Sequence, residues 1–268
     1  MGIPAIQIDM RVDNIILVAI LAMAIPSCRS TSNTGSDVDS IEAVADEKPA
    51  ARHLVDIDRR SSLTIYTPLF TRVDLVTGTM PSKDEKDVIM CFEAAFTGEL
   101  LDEFKHSNIA GNHVSSGVFY KGYKCGPNNG VFTWDSKRGW HFYNYSHTKS
   151  ESVLKTAADN GGMGFGQSLL IHEGRRFKGC FKAESENIYR ALCELDGKLC
   201  VIDCAESMPF GRFLDALMDI GVREAIYCDM GYGWNYSWYR QDNGTVKELF
   251  HVPGRYTTNW VTFYREGD

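Results

Sequence analysis

"IYRALCELDGKLCVIDC", residues 188–204, reads as two alternating apolar runs on either side of Asp196-Gly197. Alternation at period two places every second side chain on one face of a strand. An Asp-Gly pair between two such runs marks a two-residue type I′ turn, because both central residues must adopt positive φ. A β-hairpin is therefore predicted, with Arg190 near the open end of its first strand. In "PFGRFLDALMDIGV" (209–222), Phe213, Leu214, Leu217, Met218 and Ile220 recur at helical spacing. Pro209 stands near the start, where a missing N–H costs nothing, and Gly221 suits the residue just past the end. "REAIYCD" (223–229) follows as a short apolar strand. The series puts Asp229 at the C-terminal end of a buried strand, where α/β folds tend to hold ligands.

Asp229 opens the loop "YCDMGYGWNYSW" (227–238). A plain turn needs one glycine at most. Gly231 and Gly233 beside an acid suit a backbone that comes close to a ligand. Working outward, "SLTIYTPLFTRVDLVTG" (62–78) alternates β-branched and aromatic residues and begins the sheet. "DVIMCFEAAF" (87–96) is a buried strand by its continuous apolar run, interrupted by Glu93. Thr97 can cap a helix that runs to about His106, with Glu99 in its first turn. Residues 114–145 form several short strands and turns, "SESVLKTAAD" (150–159) a helix ending on Gly161-Gly162, and "NWVTFY" (259–264) a last strand. The fold class is α+β (mixed α/β): a single domain with a central mixed β-sheet flanked by a few helices.

The N-terminus belongs to another class. "MRVDNIILVAILAMAIPSC" (10–28) has a basic residue, an apolar run from Ile15 to Ile25 and small residues before Cys28. That is a secretory signal (1–28), too short to span a bilayer. Cys28 after Ile-Pro-Ser reads as a bacterial lipobox; ordinary cleavage nearby, with Cys28 discarded, is the alternative. Residues 29–60 are rich in Ser, Thr, Asp, Glu, Lys and Pro and read as a disordered tether, leaving 61–268 as the domain. The expectation is an exported protein, lipid-anchored to the bacterial cell envelope and touching the membrane through that anchor only.

The net charge of −7 argues against nucleic acid as a partner. Seven cysteines remain after Cys28, at 91, 125, 180, 193, 200, 204 and 228, without the paired spacing of a zinc site. Those in apolar runs read as small buried hydrophobes. A Cys125–Cys180 disulfide is conceivable, and the pairing is not fixed by sequence. No cofactor is implied, although Asp229 with backbone carbonyls could hold a divalent cation.

The hairpin–helix–strand–glycine series resembles the phosphodiester glycosidase family. Its mammalian member removes N-acetylglucosamine from a phosphodiester on lysosomal glycans. "YRALCEL" looks like the family's Arg-Thr-Ala strand, with Arg190 in the arginine position. "DALMDIGVREAIYCDMGYG" looks like its helix and Leu-Asp-Gly-Gly-Gly-Ser-Ser strand, so that Asp229 matches the aspartate and Gly231 the middle glycine. "GRYTTNWVTFY" looks like its Arg-x-x-x-Asn strand, giving Arg255 and Asn259. "CFEAAFTG" stands where the family usually reads Asn-Gly-Gly-Phe-Phe. The match covers roughly Val88 to Tyr264 with no motif intact: Met230, Tyr232 and Gly233 replace two glycines and a serine, and Glu93-Ala94-Ala95 replaces Asn-Gly-Gly.

The resemblance implies cleavage of a sugar-1-phosphodiester. That chemistry needs a grip on phosphate charge, stabilisation of an oxocarbenium-like centre, and acid/base help. Arg190 and Arg255 suit the first, because a guanidinium can hold two phosphate oxygens. Backbone N–H groups at Gly231 and Gly233 can reach the same oxygens. Asp229 suits the second or third role, and Glu93 is the candidate second carboxylate. Asn112 and His113, among the glycines of "GNHVSSGVFYKGY" (111–123), form a candidate polar wall, and Asn259 a further contact.

Each residue has a plain structural alternative. Arg190 can be an ion-pair partner, Asp229 can accept turn N–H groups, and a buried Glu93 needs a nearby Lys or Arg. Two functions therefore stand at this stage: an exported lipoprotein hydrolase, and a catalytically degenerate relative that binds glycans or sugar phosphates.

Overall fold

The computed structural model describes residues 53–97, 109–123, 129–178, 186–231, 236–249 and 258–266. All lie within the unit Ala50–Asp268. The expected signal peptide, Cys28, most of the tether, the helix expected from Thr97, and Cys125 and Cys180 lie outside them.

The chain runs through β1 (Val55–Arg60), β2 (Leu63–Pro68), β3 (Arg72–Thr77), β4 (Val88–Glu93), β5 (His113–Ser115) and β6 (Val118–Tyr120). It continues through β7 (Gly130–Asp135), β8 (Gly139–Tyr143), α1 (His147–Asp159), β9 (Met163–Gln167), β10 (Leu169–His172), β11 (Arg175–Arg176) and β12 (Glu186–Asn187). Then come β13 (Arg190–Leu195), β14 (Lys198–Cys204), β15 (Met208–Pro209), α2 (Phe210–Asp219), β16 (Glu224–Cys228), β17 (Trp238–Arg240), β18 (Val246–Glu248) and β19 (Asn259–Tyr264).

Three sheets result, ordered β1-β2-β14-β13-β16-β10-β11, β18-β17-β4-β19-β3 and β6-β5-β9-β7-β8, with a small β12-β15 pair. Of the described residues, 48% are strand and 13% helix. The expected mixed sheet is corrected on two counts. There are several sheets, and the strand pairings of each are antiparallel among the described residues. Hairpins build most neighbours. The crossover β14–α2–β16 does bring two strands into the same direction, but β13 lies between them and converts both contacts to antiparallel.

The predicted hairpin forms as read: Asp196 and Gly197 adopt φ of 52° and 71°, and Arg190 pairs with Asp203 across the ladder. Helix α2 ends with Gly221 at φ 87°, the left-handed residue that a β-carbon would strain. Its buried Phe213, Leu214 and Leu217 pack on Ala191, Cys193 and Ile202 of the large sheet. The opposite face of that sheet, through Leu192, Val201 and Ile226, shares a core with Met90, Phe92 and Phe263 of the second sheet and Phe132 and Phe165 of the third. Cys91, Cys193, Cys200, Cys204 and Cys228 are free buried thiols, filling core volume as expected.

One boundary moves. Residues 55–60, read as the end of a tether, form β1, and all six pair with β2. An edge strand that buries only Val55 and exposes Asp and Arg looks like a polar linker in composition. Its order comes from the ladder.

Candidate functional site

The hairpin register decides the site. Pairing of β13 with β14 and β16 sets Asp203 and Cys228 on either side of Arg190, so Asp229 emerges one residue beyond. From the second sheet, β4 ends at Glu93, and the next two residues are held to the same place. The Asp229 N–H donates to the Ala94 carbonyl at 3.0 Å. Asn259 grips Ala95 twice, accepting from its N–H at 2.8 Å and donating to its carbonyl at 3.0 Å.

Arg190 is fully buried and fans its donors over several partners. Nε and Nη2 reach the two Asp203 oxygens at 2.6 and 3.0 Å. Nη1 donates to Glu93 Oε2 at 2.9 Å and to Ser237 Oγ at 2.8 Å. Glu93 is likewise 0% exposed, whereas Asp229 retains 8% of its surface. Glu93 Oε1 has no hydrogen-bond partner.

Three acids thus gather around one base. Desolvation pushes the Glu93 carboxyl up to about 7; Arg190 opposes the rise, while Asp203 and Asp229 add to it. Arg190 is desolvated too, yet Asp203 and Glu93 outweigh that effect and hold it charged, with its pKa raised. A bidentate Arg–carboxylate pair leaves Glu93 as the member that takes up a proton near neutrality. Chemically, the arrangement is a proton-bearing carboxyl beside a second carboxylate that touches solvent.

Glu93 and Arg190 are in direct contact, and the Asp229 N–H is held by Ala94, next to Glu93, but two roles change. Arg190 spends these donors on Asp203, Glu93 and Ser237, which makes it the holder of Glu93 and Asp203 rather than a grip on phosphate. Asn259, fully buried, clamps the backbone after Glu93 and faces Ala95 instead of a ligand. Asn112 is also committed: it donates to the His147 carbonyl and Ser150 Oγ and accepts from the Gly122 N–H, tying a loop to α1. His113 bonds the Gly111 carbonyl at 2.9 Å and stacks on Tyr120, and burial pushes its pKa down to about 4. Neither contact set includes the Arg190 cluster. Gly231 closes a described segment and is half-buried; Gly233 and Arg255 lie outside the described residues.

Sequence reading missed Asp203 and Ser237. Asp203 was accessible, since counting back from Asp196-Gly197 places it opposite Arg190. Ser237 carries no such signal. Among the described residues, no group of three His, Cys, Asp or Glu side chains is placed to hold a metal ion.

No family model and no curated protein matches the chain. Solved structures do. The zebrafish N-acetylglucosamine-1-phosphodiester alpha-N-acetylglucosaminidase catalytic domain, auto-inhibited by its pro-peptide, aligns with a TM-score of 0.52 at 14% identity, over 81% of this chain and 83% of that one. A hypothetical protein from Synechocystis aligns with a TM-score of 0.54 at 12% identity, over 79% of this chain and 61% of that one. At such identities the likeness is one of architecture: the chain shares the fold of a phosphodiester glycosidase catalytic domain.

Proposed function

We propose that this chain is a hydrolase of the phosphodiester glycosidase type, cleaving the bond between a sugar's anomeric carbon and a phosphodiester. The observation that carries the reading is the meeting of Glu93 and Asp229 beside one buried guanidinium, on a fold shared with such a catalytic domain. Glu93, protonated near neutral pH, serves as general acid to the leaving phosphate. Asp229, reaching solvent, stabilises the oxocarbenium-like centre or directs water to it. Arg190 keeps Glu93 in place, and the Gly231 amide contributes to phosphate recognition. The same reading takes the chain as exported, with Cys28 lipid-linked to the cell envelope, and envelope or dietary glycans as its substrates.

A second reading follows from the complete burial of Glu93 and Arg190. On it, the cluster braces the fold, and the protein binds a glycan or sugar phosphate without cleaving it. The experiment is sugar release from a panel of sugar-1-phosphodiesters by the full chain, beside Asp229→Asn and Glu93→Gln. Turnover that disappears in both folded variants establishes the hydrolase. Saturable binding without turnover, weakened by Asp229→Asn, establishes the binding protein.

A further inference from the structure

A separate feature lies where two edge strands approach. A cleft of about 540 Å³ is lined by Ile57 and Arg59 of β1, Tyr66 of β2, Tyr239 of β17, Lys247 of β18, and Lys83. None of its lining residues belongs to the Glu93–Arg190–Asp229 cluster. The register explains its make-up. Ile57 pairs with Tyr66, and Tyr239 with Lys247, and residues opposite one another in an antiparallel ladder share a face. The two tyrosine rings meet at 5.8 Å. Alternation along β1 turns Ile57 and Arg59 towards the cleft and Asp56 and Asp58 away.

Lys83 is paired with Glu248, which also lines the cleft, and sits 5.5 Å over the Tyr236 ring. Arg59 and Lys247 have no ion-pair partner among the described residues. In a chain of net charge −7, two uncompensated cations on opposite walls are a local reversal of sign. Ile57, 41% exposed, adds an apolar side. Volume, a tyrosine floor and flanking cations together fit a ring-sized polar ligand that carries negative charge. A duplex or a bilayer surface would not enter a cleft of this size.

We propose that this cleft is a binding site for an anionic sugar, with the ring against Ile57 and Tyr66 and its phosphate, sulfate or carboxylate between Arg59 and Lys247. The site stands whether or not Glu93 and Asp229 perform hydrolysis.

The test is calorimetric titration of the full chain with glucose 6-phosphate and with glucuronate, using glucose and inorganic phosphate as controls. Both anionic sugars should bind saturably, more weakly as salt is added. Arg59→Ala combined with Lys247→Ala should weaken binding at least roughly 10-fold, the loss expected for charge-assisted contacts. The double variant should keep its unfolding midpoint, because both side chains are exposed. Four outcomes overturn the proposal: no saturable binding, binding indifferent to the double substitution, equal affinity for phosphate and glucose 6-phosphate, or binding lost in Asp229→Asn and kept in the double variant.

Discussion

Arg190 and Asp203 face each other across the β13–β14 ladder, and the guanidinium holds both carboxylate oxygens, at 2.6 and 3.0 Å. The pair is buried, with Glu93 as a third partner of the guanidinium. Stripping one member from such a group leaves an uncompensated charge out of water. Arg190→Met should therefore cost about 3–5 kcal/mol of stability. A combined Arg190→Met, Asp203→Leu, Glu93→Met chain should lose far less than the sum of the single losses, since no charge is left stranded. Denaturant unfolding of the wild type, the three single variants and the combined variant measures this; additive losses would remove the cluster from the account.

Glu93 makes stability depend on pH in a stated direction. Its folded-state value near 7 stands above the ordinary 4.5. Between these values the native protein keeps a proton that the unfolded chain has released. The Glu93 contribution to stability should therefore fall as pH rises from about 4.5 to about 7, by an amount on the order of 3 kcal/mol, and level off above. Buried His113, its pKa pushed down to about 4, contributes with the opposite sign between about 4 and 6.5. The Glu93 share is the difference in slope between the wild type and Glu93→Gln over that interval. Unfolding midpoints at pH 5 and 7.5 test it, and an unchanged slope in the Gln variant would place the titration on another group. For a general acid, kcat/KM should also decline above about pH 7.

The sequence carried the frame of this site further than its detail. Local signals, namely Asp196-Gly197, the helical spacing of Phe213 to Ile220 and the strand at 259–264, each act within a few residues, and each element formed as read. Asp203 lay within reach of the same reasoning, through the hairpin register. Asn259, Asn112 and His113 did not. A polar residue's type shows what it can bond, while whether a backbone or a ligand takes that bond is decided by strands distant in sequence. β1 was hidden for a related reason: an exposed edge strand has a linker's composition, and only its pairing partner orders it.

Asn259 ties β19 to the residue two beyond Glu93, although the two are 164 positions apart. Asn259→Ala leaves the buried N–H and carbonyl of Ala95 without this partner, at a cost of about 1–3 kcal/mol for each unsatisfied group. The consequence reaches past stability, because Ala94, next in the chain, receives the Asp229 N–H. Catalysis or ligand binding at Asp229 should fall more than global stability does. Asn259→Asp should be no rescue, as its carboxylate accepts from the Ala95 N–H but meets the Ala95 carbonyl as a second acceptor. Activity compared with unfolding midpoint in both variants separates the two effects.

A chain begun at Ser61, the boundary composition suggests, should behave differently from one begun at Ala50. Starting at Ser61 deletes β1 and with it six residues of pairing to β2. It also removes two contacts that fasten the strand's approach to the β17–β18 turn: the Leu54 N–H donates to Asp242 at 2.8 Å, and His53 Nδ1 lies 2.5 Å from the same carboxylate. β2 would become the sheet's edge, presenting Leu63 and Ile65, now 1% and 3% exposed, along a row of unpaired backbone groups. A flat apolar edge of that kind recruits other chains. β1 blunts it with the exposed charges of Asp56, Asp58, Arg59 and Arg60. The shorter chain should elute as aggregate in size-exclusion chromatography and unfold at lower denaturant, while the longer one stays dispersed. Equal behaviour of the two would mean that β1 contributes nothing beyond its own order.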